Sequence, residues 1–443
     1  MEVVTDHWRE VEERLPVPGE GGGERPSRSP GQRQTARELF KNRDFALLWV
    51  GQLLSQIGDQ CLIVAAITLI SGLSSSPLAM LVPALSIAAP QIVFGLVGGV
   101  IADRVDRKLV MVVSDVLRAL IVLPIILVTS LHQIWILYLA AAGLAIVGVS
   151  FYPARNASLP KIVPSGSLMA ANGMIQGSYV VALVVGPIVA GIAVELWPPS
   201  AILLDSATFV LSAIAIAVMR IPRNGSQASG IGVEKGVWDD IKAGLNFIYR
   251  NQVLRRVLVV TAVASLGVGA VVLLAIPHLK AKLGAGGLEY GLAMSVLGVG
   301  SVLGGVLVTR ISRRLSTSTV VGGMLTLAGA AIVAFAFAPS YVVVLVSVVA
   351  LGMSLVVARG ALNAITQTLA PDEIRGRVQS AVNIIVVTST AISEGISAVM
   401  GSVIRVQTVF VAAGVVTAVT GFAAVFMLRG AARVVRPVMG EVG

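Results

Sequence analysis

The sequence predicts an all-α integral membrane protein with twelve transmembrane helices in two pseudo-symmetric bundles of six. Its 443 residues are 56% hydrophobic and 13% charged, and a water-soluble fold cannot bury that much apolar surface. The apolar residues form runs of roughly 20, the length that a helix needs to cross the hydrocarbon core of a bilayer. The predicted spans are 45–72, 78–101, 109–129, 134–152, 168–193, 199–219, 256–277, 288–308, 318–337, 340–360, 378–403 and 406–428.

A repeated sequence divides the chain into the two bundles. The segment GGVIADRVDRK at residues 98–108 recurs as GGVLVTRISRR at residues 304–314. A second pair, Asn156-Ala157 and Asn363-Ala364, recurs at nearly the same offset. Two agreeing offsets indicate a duplication, and duplicated membrane proteins of this length are typically transporters, whose substrate site lies between the related halves.

The basic residues indicate the orientation of the chain in the membrane. The formal net charge is +10, but most Lys and Arg residues lie in the termini, the central loop and the other even-numbered loops. Only Lys280, Lys282 and Arg405 fall on the other face. Because basic loops remain in the cytoplasm, we expect both termini to be cytoplasmic and expect no nucleic-acid partner. Cys61 is the only cysteine, which excludes an internal disulfide, and no metal site is predicted.

Composition divides the chain into five segments. In the linker between the bundles, the helical spacing of Trp238, Ile241, Leu245 and Ile248 predicts an amphipathic helix on the inner membrane surface, tying the bundles together. The predicted segments are a disordered cytoplasmic tail at 1–40, the N-terminal bundle at 41–220, the linker at 221–255, the C-terminal bundle at 256–430 and a cytoplasmic tail at 431–443.

The loop after span two carries a recognisable motif. Gly99, Asp103, Arg104, Arg107 and Lys108 match the pattern G-x-x-x-D-R-x-G-R-K, with Asp106 in place of the second glycine. Together with the twelve spans, this motif resembles the major facilitator superfamily over residues 40–430. The substitution and the opening NRDFALLWVGQLLSQIGDQ resemble its macrolide-efflux and enterobactin-exporter branch of drug:proton antiporters. The resemblance implies the major facilitator fold, with this loop as a latch that closes the cytoplasmic side. A partial repeat of this loop motif in the second half comprises Gly305, Arg310, Arg313 and Arg314.

Span five carries a second motif that resembles the superfamily. Its residues follow the spacing G-x8-G-x3-G-P-x2-G-G, with alanine at two glycine positions. The resemblance implies an exporter. The alternative is a packing seam without directional meaning, because small residues let helices approach closely and proline can bend a helix. The matching residues are Gly173, Ala182, Gly186, Pro187, Ala190 and Gly191.

Two carboxylates lie deep within predicted spans. An ionisable group at membrane depth costs several kcal/mol and marks a candidate functional site. Asp59 in span one and Glu394 in span eleven would both lie slightly beyond the midplane and could face a common cavity. A low-dielectric setting favours the protonated carboxyl, which makes proton uptake and release feasible. We therefore predict proton coupling or substrate contact for both, against the alternative of hydrogen bonds in helix packing.

Other charges in the spans suggest weaker roles. Asp115 and Arg118 are three residues apart on span three and are expected to form a structural pair. Asp205 and Glu195 lie near predicted span ends, where we expect both to reach water and to have no role. Arg359 closes span ten and could meet Asp103 or a substrate anion. Span four contains no charge, although exporters of the superfamily often have an arginine there, which weakens the prediction of proton coupling.

Together these features predict a secondary transporter rather than an enzyme. We expect it to export lipophilic small molecules from a bacterial cytoplasmic membrane by alternating access, in exchange for protons, as a monomer among membrane lipids and without a cofactor. The alternatives are a siderophore exporter or a lysophospholipid flippase on the same fold, or a non-transporting sensor or scaffold. An occluded, dry centre between the halves would favour the scaffold.

Overall fold

The computed structural model describes residues 36–74, 76–83, 85–87, 90, 105–221, 237–371 and 374–429. Within these ranges, eleven helices are long and apolar enough to cross a membrane, and a shorter apolar helix begins the predicted second span. The rest of that span and its loop residues Gly99, Asp103 and Arg104 lie outside the described residues. The helices are α1 (Arg43–Leu73), α2 (Pro77–Ile87, in which residue 84 is not described), α3 (Arg107–Val122), α4 (Trp135–Ile162), α5 (Leu168–Leu196), α6 (Ser200–Val218), a linker helix (Val237–Arg250), α7 (Gln252–Leu283), α8 (Gly287–Arg314), α9 (Thr317–Phe337), α10 (Tyr341–Leu369), α11 (Arg375–Val403) and α12 (Val406–Met427).

The first helix of each bundle begins with the same signal. The Asn42 side chain accepts hydrogen bonds from two backbone amides at the start of α1, and Asn251 does so at the start of α7. Asp106 caps α3 in the same way. A side-chain acceptor at this position satisfies amides that have no partner within the helix. Equivalent helices therefore begin by equivalent local chemistry.

The two bundles pack their helices in the same order. In the first bundle, α1 packs against α5 and α6, and α3 packs against α4 and α6. In the second, α7 packs against α11 and α12, and α9 packs against α10 and α12. This repeated set of pairs confirms the predicted duplication at the level of structure. The described residues form the helical bundles that the sequence predicts and contain no β-strand.

Contact between the bundles is concentrated at one end. We call the end where α1 begins and α12 ends the terminal face, and the opposite end the distal face. The seam joins the distal halves of α5 and α8, where Gly291 lies directly against the carbonyl of Pro187. Beside it, Lys280 Nζ donates to the carbonyl oxygen of Ser71 across the bundles, at 3.0 Å. Small residues permit this close approach because they place no side chain between the two helix axes.

The hydrophobic cores show the same asymmetry. At the distal face, one continuous cluster of buried side chains contains members of both bundles. At the terminal face, the described residues of each bundle form a separate cluster. Among the described residues, the bundles therefore share a core at the distal face and have separate cores towards the terminal face. Representative members are Val64, Ala193, Leu274 and Tyr290 in the shared cluster, Phe45 and Phe151 in the first bundle's own cluster, and Val257 and Ile365 in the second bundle's.

The linker helix is attached to the second bundle. It packs against α11 and α7, where Gly244 lies against the backbone of Arg377 and the Ile248 side chain is buried. The helix predicted in the linker is therefore present. Its position at the membrane surface stays a prediction.

Gly291→Ala should destabilise the distal seam. A methyl group there would overlap the Pro187 carbonyl, and backbone cannot move aside as a flexible side chain can. The expected cost is on the order of 1–3 kcal/mol, seen as a lower Tm of the purified protein. Gly305→Ala on the same helix is the matched control, because its methyl group would meet nothing within 4 Å and alanine favours helix. Equal Tm values for the two variants would contradict this account of the seam.

Candidate functional site

A polar stripe runs along α1 inside the first bundle. Gln52, Gln56 and Asp59 follow the spacing i, i+4, i+7 and therefore share one helical face. Gln52 is buried, whereas Gln56 and Asp59 are half-buried. Gln56 Oε1 accepts a hydrogen bond from Ser178 of α5 at 3.4 Å. Sequence analysis identified only Asp59, although the helical spacing of the two glutamines was a usable signal.

An arginine of α4 joins this stripe. Arg155 Nη1 donates to Gln52 Oε1 at 3.1 Å, and its guanidinium lies 5.2 Å from the Tyr152 ring centroid. The prediction that span four carries no charge was wrong. The helix continues through Pro153 to Ile162, because a proline bends a helix without always ending it. Arg155 is therefore a helix-four arginine directed towards α1.

Asp205 is the largest departure from the sequence prediction. It was expected to reach water near the start of span six, but its side chain is fully buried. Neither carboxyl oxygen has a hydrogen-bond partner among the described residues. It lies against α1 at Gly58, where an added Cβ would be 2.6 Å from Asp205 Oδ1. The expectation failed because α1 covers the face of α6 that carries Asp205. Glu195, by contrast, is exposed as predicted.

Asp115 and Arg118 form the predicted pair on α3. Arg118 Nη1 lies 3.7 Å from Asp115 Oδ1, and both side chains are buried. The guanidinium lies 4.8 Å from the ring centroid of Phe151 and 5.5 Å from that of Phe209. This geometry places the positive charge between α4 and α6 and therefore inside the bundle, where aromatic faces stabilise it.

Three carboxyl groups surround this one guanidinium. Asp59, Asp115 and Asp205 all lie within electrostatic range of Arg118. We call these four residues the carboxylate cluster. If every member were ionised, the cluster would carry two net negative charges in a low-dielectric interior, which is strongly unfavourable. The cluster must therefore take up protons or another cation to reach charge balance.

Glu394 lies in the other bundle. Its side chain is buried in α11, and the neighbouring Ser393 hydroxyl donates to the Leu266 carbonyl of α7. Glu394 thus lies on a helix that packs against α7 of the second bundle, whereas Asp59 lies in the first bundle. Arg359 is exposed and does not close its helix as predicted, since α10 continues to Leu369. The functional roles of both residues stay predictions.

Most of the span-five motif forms close helix contacts. Gly186 lies against α1, where an added Cβ would be 3.2 Å from the Ile57 carbonyl oxygen. Gly191 lies against α8, where it would be 2.9 Å from the Leu288 Cα. Gly173 would meet nothing within 4 Å and does not contribute to the seam. The motif therefore acts structurally as the junction of α5 with α1 and α8, while its directional meaning stays a prediction. The other buried members are Ala182, Pro187 and Ala190.

The described residues of the first loop motif contact their own bundle. Arg107 Nη1 donates to the Ala157 carbonyl at 3.0 Å, and Lys108 Nζ donates to the Met219 carbonyl at 2.8 Å. These bonds join the terminal ends of α3, α4 and α6. In the second half, Arg310 is exposed. Gly99, Asp103 and Arg104, with the side chains of Arg313 and Arg314, lie outside the described residues, so the latch stays a prediction.

Comparison with known proteins places this architecture in a family. The Major Facilitator Superfamily model matches residues 48–393 and 257–440. Macrolide efflux protein A of Streptococcus pyogenes is 28% identical over 220 residues, which cover 49% of this chain and 54% of that protein. The chain thus spans about half the length of the curated relatives that match it most strongly. Multidrug efflux pump Tap of Mycolicibacterium fortuitum is 26% identical over 347 residues, covering 76% of this chain and 84% of the pump.

A solved structure shares the fold. The bacterial homologue of the human lysosomal transporter Spinster, in an inward-facing and unoccupied conformation, superposes with a TM-score of 0.67 at 17% sequence identity. The match covers 89% of this chain and 98% of that one. The family match covers most of the chain and agrees with the duplicated bundles, the loop motif and the helix pairs described above. The chain belongs to the Major Facilitator Superfamily.

Proposed function

We propose that this protein exports lipophilic small molecules across a bacterial cytoplasmic membrane by alternating access, in exchange for protons. One observation carries the proposal: the bundles share a hydrophobic core at the distal face but have separate cores at the terminal face. Because the basic loops lie at the terminal face, this face is the cytoplasmic one. The described conformation is then open to the cytoplasm, as an exporter must be when it collects its substrate.

The side chains on the open side suit an amphipathic substrate. Tyr152 of α4 and Tyr179 of α5 are about half exposed, at 47% and 53%. Arg155 lies beside Tyr152. Aromatic faces with a few fixed polar groups are typical of sites for small organic molecules. The efflux activities named for the macrolide and multidrug relatives support a substrate of this class.

Asp59 is the group that we assign to proton exchange. It is half-buried, so it can exchange protons with water, and it interacts with the buried charge of Arg118. Arg155 supplies the helix-four arginine whose expected absence had weakened this mechanism. Glu394 remains a second candidate, in the other bundle.

The structure gives a reason to prefer transport over the scaffold alternative. A scaffold was expected to have an occluded, dry centre. The terminal halves of the bundles instead have separate cores, and Gly173 and Gly177 of α5 have open space beside them. Two bundles that pack together at only one end can expose the space between them to each side of the membrane in turn.

Asp59→Asn should abolish proton-driven export while preserving the fold, because asparagine matches aspartate in size but cannot bind and release a proton. A drug-susceptibility panel in an efflux-deficient host first identifies a substrate. Its uptake into inside-out vesicles should then be lost with the variant and with a protonophore. Asp44→Asn is the matched control on the same helix, where Asp44 only accepts from the Arg220 amide. Uptake that survives both Asp59→Asn and the protonophore would exclude proton coupling through this residue.

Lys280→Met should weaken the distal closure. It removes the hydrogen bond to Ser71 that joins the bundles, worth about 1 kcal/mol, which changes the ratio of the two conformations about fivefold. Lys282→Met is the matched control, because Lys282 donates to the Ala336 carbonyl within its own bundle.

Spin-label distances in a Cys61→Ser background measure this shift. Labels at Leu196 and Val342 report the distal face, and labels at Met169 and Arg310 report the terminal face; the native side chains at these positions are exposed. Lys280→Met should lengthen the distal distances and shorten the terminal ones, and Lys282→Met should change neither. A rigid pair of bundles, with the same distances in all variants and with substrate added, would argue against alternating access.

A further inference from the structure

We propose that Asp205 is the buried member of a proton-exchanging carboxyl pair with Asp59. The ligand is the coupling proton, and the site lies wholly within the first bundle. This inference deepens the proton exchange proposed above and rests on it for its place in transport. It adds a second proton-binding carboxyl to a mechanism in which Asp59 was the only candidate of this bundle.

The first step is the position of Asp205. Its side chain is fully buried in α6, and neither oxygen has a hydrogen-bond partner among the described residues. A carboxylate without water or donors is unstable, whereas a carboxylic acid carries no net charge. The carboxyl group of Asp205 can therefore form hydrogen bonds that no described protein group supplies.

The second step is charge balance. An arginine side chain carries a positive charge in proteins, and Arg118 pairs with Asp115 at 3.7 Å. Asp59 and Asp205 are then left without a matching positive charge. The pair is neutral when both carry protons and has one negative charge when they share a single proton. Repulsion between two neighbouring carboxylates makes loss of the second proton much harder than loss of the first. The pair therefore exchanges one proton.

The third step is a route to water. Asp205 is fully buried, but Asp59 is half-buried, and the two interact electrostatically. Gly58, the neighbour of Asp59, packs directly against Asp205 because it has no side chain. In the exchange, Asp59 gives its proton to water, and the Asp59 carboxylate then shares the proton that Asp205 holds. Uptake of a proton from water returns the pair to its neutral form.

The surroundings of Asp205 define what else can titrate there. Asp59 and Arg118 interact with it directly, and Asp115 acts through Arg118. Among the described residues, the other ionisable groups on helices packed against α6 are Arg43, Asp44 and Cys61 of α1, Arg107 and Lys108 of α3, and Tyr179 and Glu195 of α5. Tyr152 of α4 interacts with Asp59 and Arg118.

Infrared spectroscopy of the purified full chain in lipid nanodiscs tests the pair without any substrate. Carbon-13 labelling of the aspartate side chains separates their protonated carboxyl band from that of Glu394. We expect the labelled band to decrease as the pH rises. Above about pH 6, where exposed aspartates are ionised, Asp205→Asn and Asp59→Asn should each remove about half of its amplitude. The double variant should remove it, and Asp44→Asn, a control outside the bundle interior, should leave it unchanged. Asp205→Glu keeps the acid and should transfer half of the signal to the unlabelled band.

Three results would overturn the proposal. One is an Asp205→Asn variant with the full wild-type amplitude, which would show that Asp205 is permanently ionised. Another is a residual band in Asp59→Asn that stays constant at every pH at which the protein is folded, which would make Asp205 a fixed structural acid. The third is loss of the band on adding sodium chloride at fixed pH, which would make the ligand a metal cation. Since no transport is measured, a failure of the pair is distinguishable from a failure of the exporter proposal.

Discussion

Charge buried in a membrane has to be balanced, and this constraint organises the first bundle. One arginine, Arg118, lies inside the bundle among three carboxyl groups. The aromatic rings of α4 and α6 surround its guanidinium, and Gly148 of α4 leaves room for it, since an added Cβ would be 2.9 Å from Nη2. The helices around this group can pack only if the carboxyl groups share its charge or carry protons.

The duplicated bundles have kept their packing but not their chemistry. Their helix pairs correspond, and asparagine caps α1 and α7 alike. The carboxylate cluster, however, has no equivalent among the described residues of the second bundle, where Glu394 is the buried acid. The first bundle carries the buried charges on which the proposed proton exchange rests, while the second supplies the other side of the distal seam.

The sequence predicted the fold well because membrane helices are encoded locally. Run length and the repeat gave the spans, and the described helix ends fall within a few residues of most predictions; the exceptions have identifiable causes. Arg155 was placed outside span four, which was predicted to end at residue 152 but continues as a helix to Ile162, and α10 likewise runs on past Arg359. Asp205 was misjudged because its burial depends on α1, which is distant in sequence. Hydropathy gives the depth of a residue in the membrane, but not which neighbouring helix covers it.

A single stretch of α1 connects the proposed proton site to the seam between the bundles. Gly58 packs on Asp205 of α6, and Asp59 follows it directly. On the other side of the helix, Ile57 and Gln60 pack against Gly186 of α5. One turn of α5 beyond Gly186, Gly191 contacts α8 of the second bundle. A change of charge at Asp59 therefore acts on a segment of α1 that packs between α6 and α5. Helix α5 in turn forms the distal seam with α8. Helices packed closely at glycine residues leave almost no free space between them. A displacement of α1 in this region must therefore move α5 or open a gap between the two helices. This contiguity gives proton binding a direct physical route to the closure of the distal face.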